Sequence, residues 1–153
     1  LGFFPGIIIG SLFPAIVSAY SKDTQEYKKR FLVLTKLCIF ISSILVLVTF
    51  ILAPIIVNVL FGEQFQESSS ILRIYIWSNI GMVAIILIQR YLLVENKNLH
   101  YLFFSVLGAI LNIVLNMKLI PIYGMHGAAY ATLLTFALVI TSFILYKMSK
   151  YSN

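Results

Sequence analysis

Residues 31–61 form an apolar run longer than the ~20 residues a helix needs to cross the hydrocarbon core of a bilayer, and four comparable runs accompany it. These cover residues 1–21, 71–94, 99–120 and 127–146, and the short loops between them hold most of the charge. A chain patterned in this way folds in lipid. With 61% of residues hydrophobic, 10% charged and a mean hydropathy of +1.00, its apolar surface could not be hidden in one water-soluble core. The expected fold class is all-α, a polytopic transmembrane helical bundle of about five spans at 1–21, 31–53, 71–94, 99–120 and 127–146. The second run exceeds one perpendicular crossing. Pro54 is expected to break or bend it, leaving 55–61 to finish a tilted helix or lie at the interface.

The net charge of +6 does not point to nucleic acid, because the bases mark the ends of spans and do not gather on one surface. Lys22, Lys28, Lys29, Arg30, Lys36, Arg90, Lys97, Lys147 and Lys150 fall on one side of the membrane, against Arg73 and Lys118 on the other. That bias places the 22–30 loop, the 95–98 loop and the C-terminus in the cytoplasm, and the 62–70 and 121–126 loops outside. The chain opens on Leu1, already inside an apolar run with no basic leader or cleavage signature, as expected of a piece of a longer polypeptide.

Two stripes of small residues recur at a spacing of four. Gly2, Gly6, Gly10, Pro14 and Ser18 share one face of the first span, either as a pliable cavity wall or as a packing surface, and packing is the simpler reading. Gly127, Ala131 and Thr135 do the same in the last. Ser68, Ser69 and Ser70 are expected to cap the third span, and Pro121 to end the fourth.

Polar side chains within spans need protein partners or a wet cavity, since lipid offers no hydrogen bonds. Asn79 lies mid-span and is the leading candidate for a cavity wall. Arg73 and Arg90, near opposite ends of the same span, either snorkel to headgroups or pair with phosphate or carboxylate on an anionic substrate. Asn112 and Asn116 sit one helical turn apart, so both amides point the same way, as interhelical ties or as part of a polar path.

Catalysis is not expected. Glu63 and Glu67 have no His or Cys beside them, His100 and His126 lie at opposite membrane faces, and a single Cys38 allows neither an internal disulfide nor a cysteine metal site. No phosphate-binding loop is present and no cofactor is expected, so transport would draw on a gradient or a separate protein.

Three stretches carry a family resemblance: Phe13-Pro14-Ala15-Ile16 leading into the 22–30 loop; Leu60-Phe61-Gly62-Glu63-Gln64-Phe65; and Leu119-Ile120-Pro121-Ile122-Tyr123-Gly124-Met125-His126-Gly127-Ala128-Ala129 followed by Ala131-Thr132. With Asn112 and Asn116 where asparagines are common, the chain resembles the C-terminal half of the O-antigen and capsule polysaccharide flippases. These are related to multidrug and toxin extrusion transporters and to the lipid II flippase. The resemblance implies most of the C-terminal lobe of a two-lobed transporter in the bacterial inner membrane, with the N-terminal lobe and membrane lipids as partners. Its substrate would be an undecaprenyl-linked oligosaccharide, flipped for surface polysaccharide synthesis. A cation-coupled multidrug exporter and a membrane-embedded assembly subunit are the alternatives. The first wants an acidic residue deep in a span, whereas Asp23, Glu26, Glu63, Glu67 and Glu95 all lie at loops or span ends.

Overall fold

The computed structural model describes residues 3–151, with side chains over 6–20 and 23–149. Its helices are α1 (Phe3–Lys22), α2 (Thr24–Phe61), α3 (Ser68–Tyr75), α4 (Ser78–Val94), α5 (Asn98–Tyr123) and α6 (Met125–Tyr151), with a short 3-10 turn at Glu63–Phe65. Four stretches are long and apolar enough to cross a membrane: Thr24–Phe61, Ser68–Val94, Asn98–Tyr123 and Met125–Ser149. Within α1 the apolar helix Gly6–Tyr20 is shorter.

The burial pattern is that of a protein dissolved in lipid. Large apolar side chains such as Val59, Leu99 and Met117 lie on the outside, while Ser42, Thr49, Ser78, Asn79 and Thr135 are buried among the helices. On α2 the buried residues are Tyr27, Leu34, Cys38, Ser42, Val46, Thr49, Ala53 and Val57, spaced by three, four or seven so that they form a single stripe. Its 38 residues extend about 57 Å at 1.5 Å per residue, well beyond the ~30 Å hydrocarbon core. The excess lies mainly in the basic N-terminal turns, which project past the apolar segment.

Several local expectations are corrected. Of the outcomes expected at Pro54 a break does not occur, since α2 continues to Phe61; the missing N–H deprives the Phe50 carbonyl of its helical donor. The short connection over 22–30 is partly helical, as its composition allows, with α2 beginning at Thr24. Asp23 alone is extended (φ −150°), and its carboxylate caps α2 by accepting the Gln25 N–H at 2.8 Å. Ser68–Ser70 form the first turn of α3 and do not cap it; Ser70 Oγ donates back to the Glu67 carbonyl at 2.7 Å. Pro121 lies inside the last turn of α5, which ends at Gly124 (φ +58°) with its N–H on Ile120 O at 2.8 Å.

Span 71–94 is interrupted between α3 and α4. At Ile76 and Trp77 the ladder tightens to three-residue bonds, with Trp77 N–H on Ile74 O (3.3 Å) and Asn79 N–H on Ile76 O (3.0 Å). Ser78 Oγ takes up the Tyr75 carbonyl at 2.6 Å, a side-chain bond that competes with the helical one. The α4–α5 turn is a Schellman motif: Asn96 stands at φ +56°, its N–H reaches Leu93 O (3.1 Å), and Lys97 N–H reaches Leu92 O (2.8 Å).

α1 packs on α2 and α5 on α6, and α4 lies between these two hairpins in contact with all four helices. One core cluster joins α1, α2 and α4 through Ile16, Tyr27, Cys38, Val83 and Leu87; another joins α4, α5 and α6 through Leu92, Phe104, Val139 and Phe143. The two small-residue stripes behave differently. On α6, Gly127, Ala131 and Thr135 are buried, and a Cβ on Gly127 would fall 2.2 Å from the Leu119 carbonyl oxygen, so the α5–α6 hairpin closes only on glycine. On α1 a Cβ added at Gly6 or Gly10 would meet nothing within 4 Å, and the buried face is Ile9, Ile16 and Ala19. Gly2 lies outside the described residues.

Candidate functional site

The two sides of α4 present different chemistry. Ala84, Leu87, Ile88 and Tyr91 floor a groove between α2 and α6, while Ile86, Gln89, Arg90 and Leu93 line a cavity toward α1 and α5. At 100° per residue these two sets fall on opposite faces of the helix. The second cavity, about 260 Å³, is completed by Gly6 and Ile9 of α1 and Tyr101 of α5. Arg90 enters it with its guanidinium 4.8 Å from the centroid of the Phe13 ring, a cation–π contact that holds the stem while leaving its planar fork for an anion.

At the interruption between α3 and α4 the structure places the other two candidates of that span. The Arg73 guanidinium stands 5.4 Å over the ring of Phe50, which also packs edge-on against Trp77 at 6.2 Å. Arg73 Nε and Asn79 Oδ1 are both buried without a hydrogen-bond partner. Unsatisfied polar atoms of this kind are costly in an apolar surrounding and mark where a ligand group or water would be bound. Arg73 is separated from Arg90 by roughly 25 Å of helix at 1.5 Å per residue, so the two cannot serve one phosphate.

The asparagine pair is occupied by its own neighbours. Asn116 Nδ2 donates to both the carbonyl and Oδ1 of Asn112, at 2.8 and 3.0 Å, and Asn112 Nδ2 reaches Thr135 Oγ1 of α6 at 3.4 Å. Thr135 in turn returns its hydroxyl to Ala131 O at 2.7 Å. This chain of bonds ties α5 to α6 beside the close approach at Gly127.

Of the five residues singled out from sequence, the structure bonds only Asn112 to Asn116; Arg73 and Asn79 lie on either side of the α3–α4 interruption, and Arg90 stands apart in its cavity. Gln89 and Tyr101 share the Arg90 cavity. Gln89 is legible in the sequence as a polar side chain of the same span, whereas the inward position of Tyr101 follows only from the way α5 packs. At the opposite membrane face, Ser70 Oγ and His126 Nε2 lie 3.1 Å apart and link α3 to the start of α6. Among the described residues no group of three or more His, Cys, Asp or Glu side chains could hold a metal ion.

No curated protein and no solved structure matches the chain. The family model described as lipid II flippase MurJ matches residues 1–152. That match runs through all six helices and both faces of α4, and it identifies a transporter, not an enzyme. The chain belongs to the lipid II flippase MurJ family, whose activity is the flipping of a lipid-linked sugar across the membrane.

Proposed function

We propose that this chain supplies most of the C-terminal lobe of a two-lobed transporter that flips an undecaprenyl-linked oligosaccharide across the bacterial inner membrane, for surface polysaccharide synthesis. The observation that carries the reading is Arg90 beside Gln89 and Tyr101, a polar cavity between α1 and α5 in an otherwise apolar bundle. A substrate of this class brings a pyrophosphate and sugar hydroxyls into a medium of low dielectric. A guanidinium and an amide replace part of the lost hydration, and the fork of Arg90 suits a phosphate oxygen pair.

The excess of basic residues at the ends of α4 and α6 and at the start of α2 supports a cytoplasmic position for these ends, so Arg90 meets the headgroup on the side where the substrate is made. Gly6 and Gly10 on α1, where an added Cβ would meet nothing within 4 Å, support an opposing lobe on that side of the bundle. Asn79 and Arg73 would then act deeper along the route, while the bonds of Asn112 and Asn116 favour a tie between α5 and α6. Among the described residues no carboxylate lies deep in a span to support cation-coupled drug export: Glu26 sits in the first turn of α2 and is paired with Arg30, and Glu95 is paired with Lys97.

The test is surface polysaccharide in cells carrying the full gene with Arg90→Gln, Arg90→Lys or Asn79→Leu, at unchanged protein levels. Arg90→Gln is expected to lower export and to leave the lipid-linked oligosaccharide in the cytoplasmic leaflet, with Arg90→Lys in between because an ammonium gives charge without the bidentate fork. Normal export by Arg90→Gln would remove Arg90 from the route. Accumulation of a peptidoglycan precursor instead of a polysaccharide unit would keep the flippase and change its substrate.

A further inference from the structure

The other face of α4 carries a second feature. Between α2 and α6, with α4 as its floor, runs a groove of about 520 Å³ lined by Leu32, Thr35, Ile39, Ala84, Leu87 and Ile88, and open at one end between Lys28 and Lys147. The same two lysines, with Tyr91 and Phe143, also border an adjoining hollow of about 330 Å³ that holds Lys97 and Glu95. Lys147 Nζ stands 4.7 Å and Lys97 Nζ 5.3 Å from the centroid of the Tyr91 ring. Glu95 is paired with Lys97, leaving Lys28 and Lys147 without a carboxylate among the described ion pairs. Tyr27, 1% exposed, lines the groove with a hydroxyl that has no hydrogen-bond partner.

We propose that this groove seats one anionic diacyl phospholipid of the cytoplasmic leaflet, its phosphate between Lys28 and Lys147 and one acyl chain against α4. The side of the membrane follows from the orientation proposed above; the site itself does not depend on the transported substrate. Charge complementarity selects the headgroup, because the mouth has three lysines against one carboxylate at the level where α2, α4 and α6 leave the apolar core. Length selects the chain. From Lys28 to Ile39 the groove follows α2 for roughly 16 Å, about half the ~30 Å hydrocarbon core and so the depth of one leaflet. A long polyprenyl chain would overrun it. The site also lies on the opposite face of α4 from Arg90, which separates it from the proposed substrate route.

A photoactivatable benzophenone side chain in place of Leu32, which is 53% exposed and lines the groove, tests the proposal in the full-length protein. The protein is reconstituted in vesicles with phosphatidylglycerol as the minor component in phosphatidylcholine, and the captured lipid is identified by mass. The adduct should be enriched in phosphatidylglycerol over its share of the vesicle. Removing each lysine should weaken that preference roughly fivefold, and Lys28→Ala with Lys147→Ala together roughly thirtyfold. Arg90→Gln should leave it unchanged. Adducts that follow the vesicle composition in the otherwise unaltered protein would overturn the proposal, a result that needs no folded lysine variant. So would preferential capture of an added polyprenyl phosphate, or loss of the enrichment in excess inorganic phosphate, which would mark a substrate seat or a simple anion patch.

Discussion

Replacing Gly127 by alanine should destabilise the protein although alanine is the better helix former. A Cβ at this position would lie 2.2 Å from the Leu119 carbonyl oxygen, 2.5 Å from its carbon and 2.9 Å from Ile120 N. Carbon–oxygen contacts settle at about 3.3–3.6 Å, so the start of α6 must move roughly 1 Å away from the end of α5. All three obstacles are backbone atoms, and no change of rotamer relieves them. Overpacking of this kind costs about 1–3 kcal/mol, and the upper end applies here, offset by up to ~1 kcal/mol of helix propensity. The net expectation is a loss of about 2 kcal/mol. Two further glycines on α4 and α5 calibrate the argument. Gly81→Ala would press its Cβ to 2.7 Å from Phe136 Cβ, an atom held by the α6 backbone that no rotamer moves; the overlap is shallower than at Gly127 and should cost about 1–2 kcal/mol. Gly108→Ala would meet Val139 Cγ2 at 3.5 Å, an ordinary contact, and should be neutral or slightly stabilising. Thermal unfolding of the purified protein in detergent measures the series, in the order Gly127, Gly81, Gly108 from most to least damaging. Equal stability of Gly127→Ala and the parent protein, or a larger loss at Gly108, would refute the reasoning.

Asn112→Leu should cost about 1 kcal/mol in the same assay by removing the side-chain partner of both Asn116 and Thr135, while Thr135→Val, which removes the 3.4 Å bond between helices and a local hydroxyl bond to the Ala131 carbonyl, should cost less. If Asn112→Leu abolishes export without lowering stability, the amide pair belongs to the substrate route and not to the α5–α6 tie. Single cysteines at Lys29 and Gln66 should be labelled from opposite sides of the membrane, Lys29 from the cytoplasm; labelling of both from one side would exclude the proposed orientation. Disrupting the exposed contact between Ser70 and His126 by Ser70→Ala should change unfolding by no more than ~0.5 kcal/mol, since water replaces a hydroxyl bond at the membrane surface.

Length, hydropathy and the placement of lysine and arginine determined by themselves that this chain is helical and lives in a bilayer, because no other regular structure within a single segment satisfies its backbone there. The run of residues through Gly124 and Gly127 also carried its own meaning, a tight turn into a closely packed helix, since those constraints are local. Other features lay beyond the sequence for a shared reason. A span that is apolar all round has no amphipathic signal to tell a lipid-facing side from a packed one, so nothing local showed that Gly127 is buried while Gly10 is open. No proline or glycine announced the interruption at Ile76 and Trp77, where Ser78 Oγ donates to the Tyr75 carbonyl. Only the packing of α4 between two hairpins decided that Arg90 and Tyr91, adjacent in sequence, face opposite grooves, and that Lys28, Lys97 and Lys147, far apart in the chain, converge at one mouth. Sequence fixes where a side chain sits along its helix, but what it faces depends on which helices close around it.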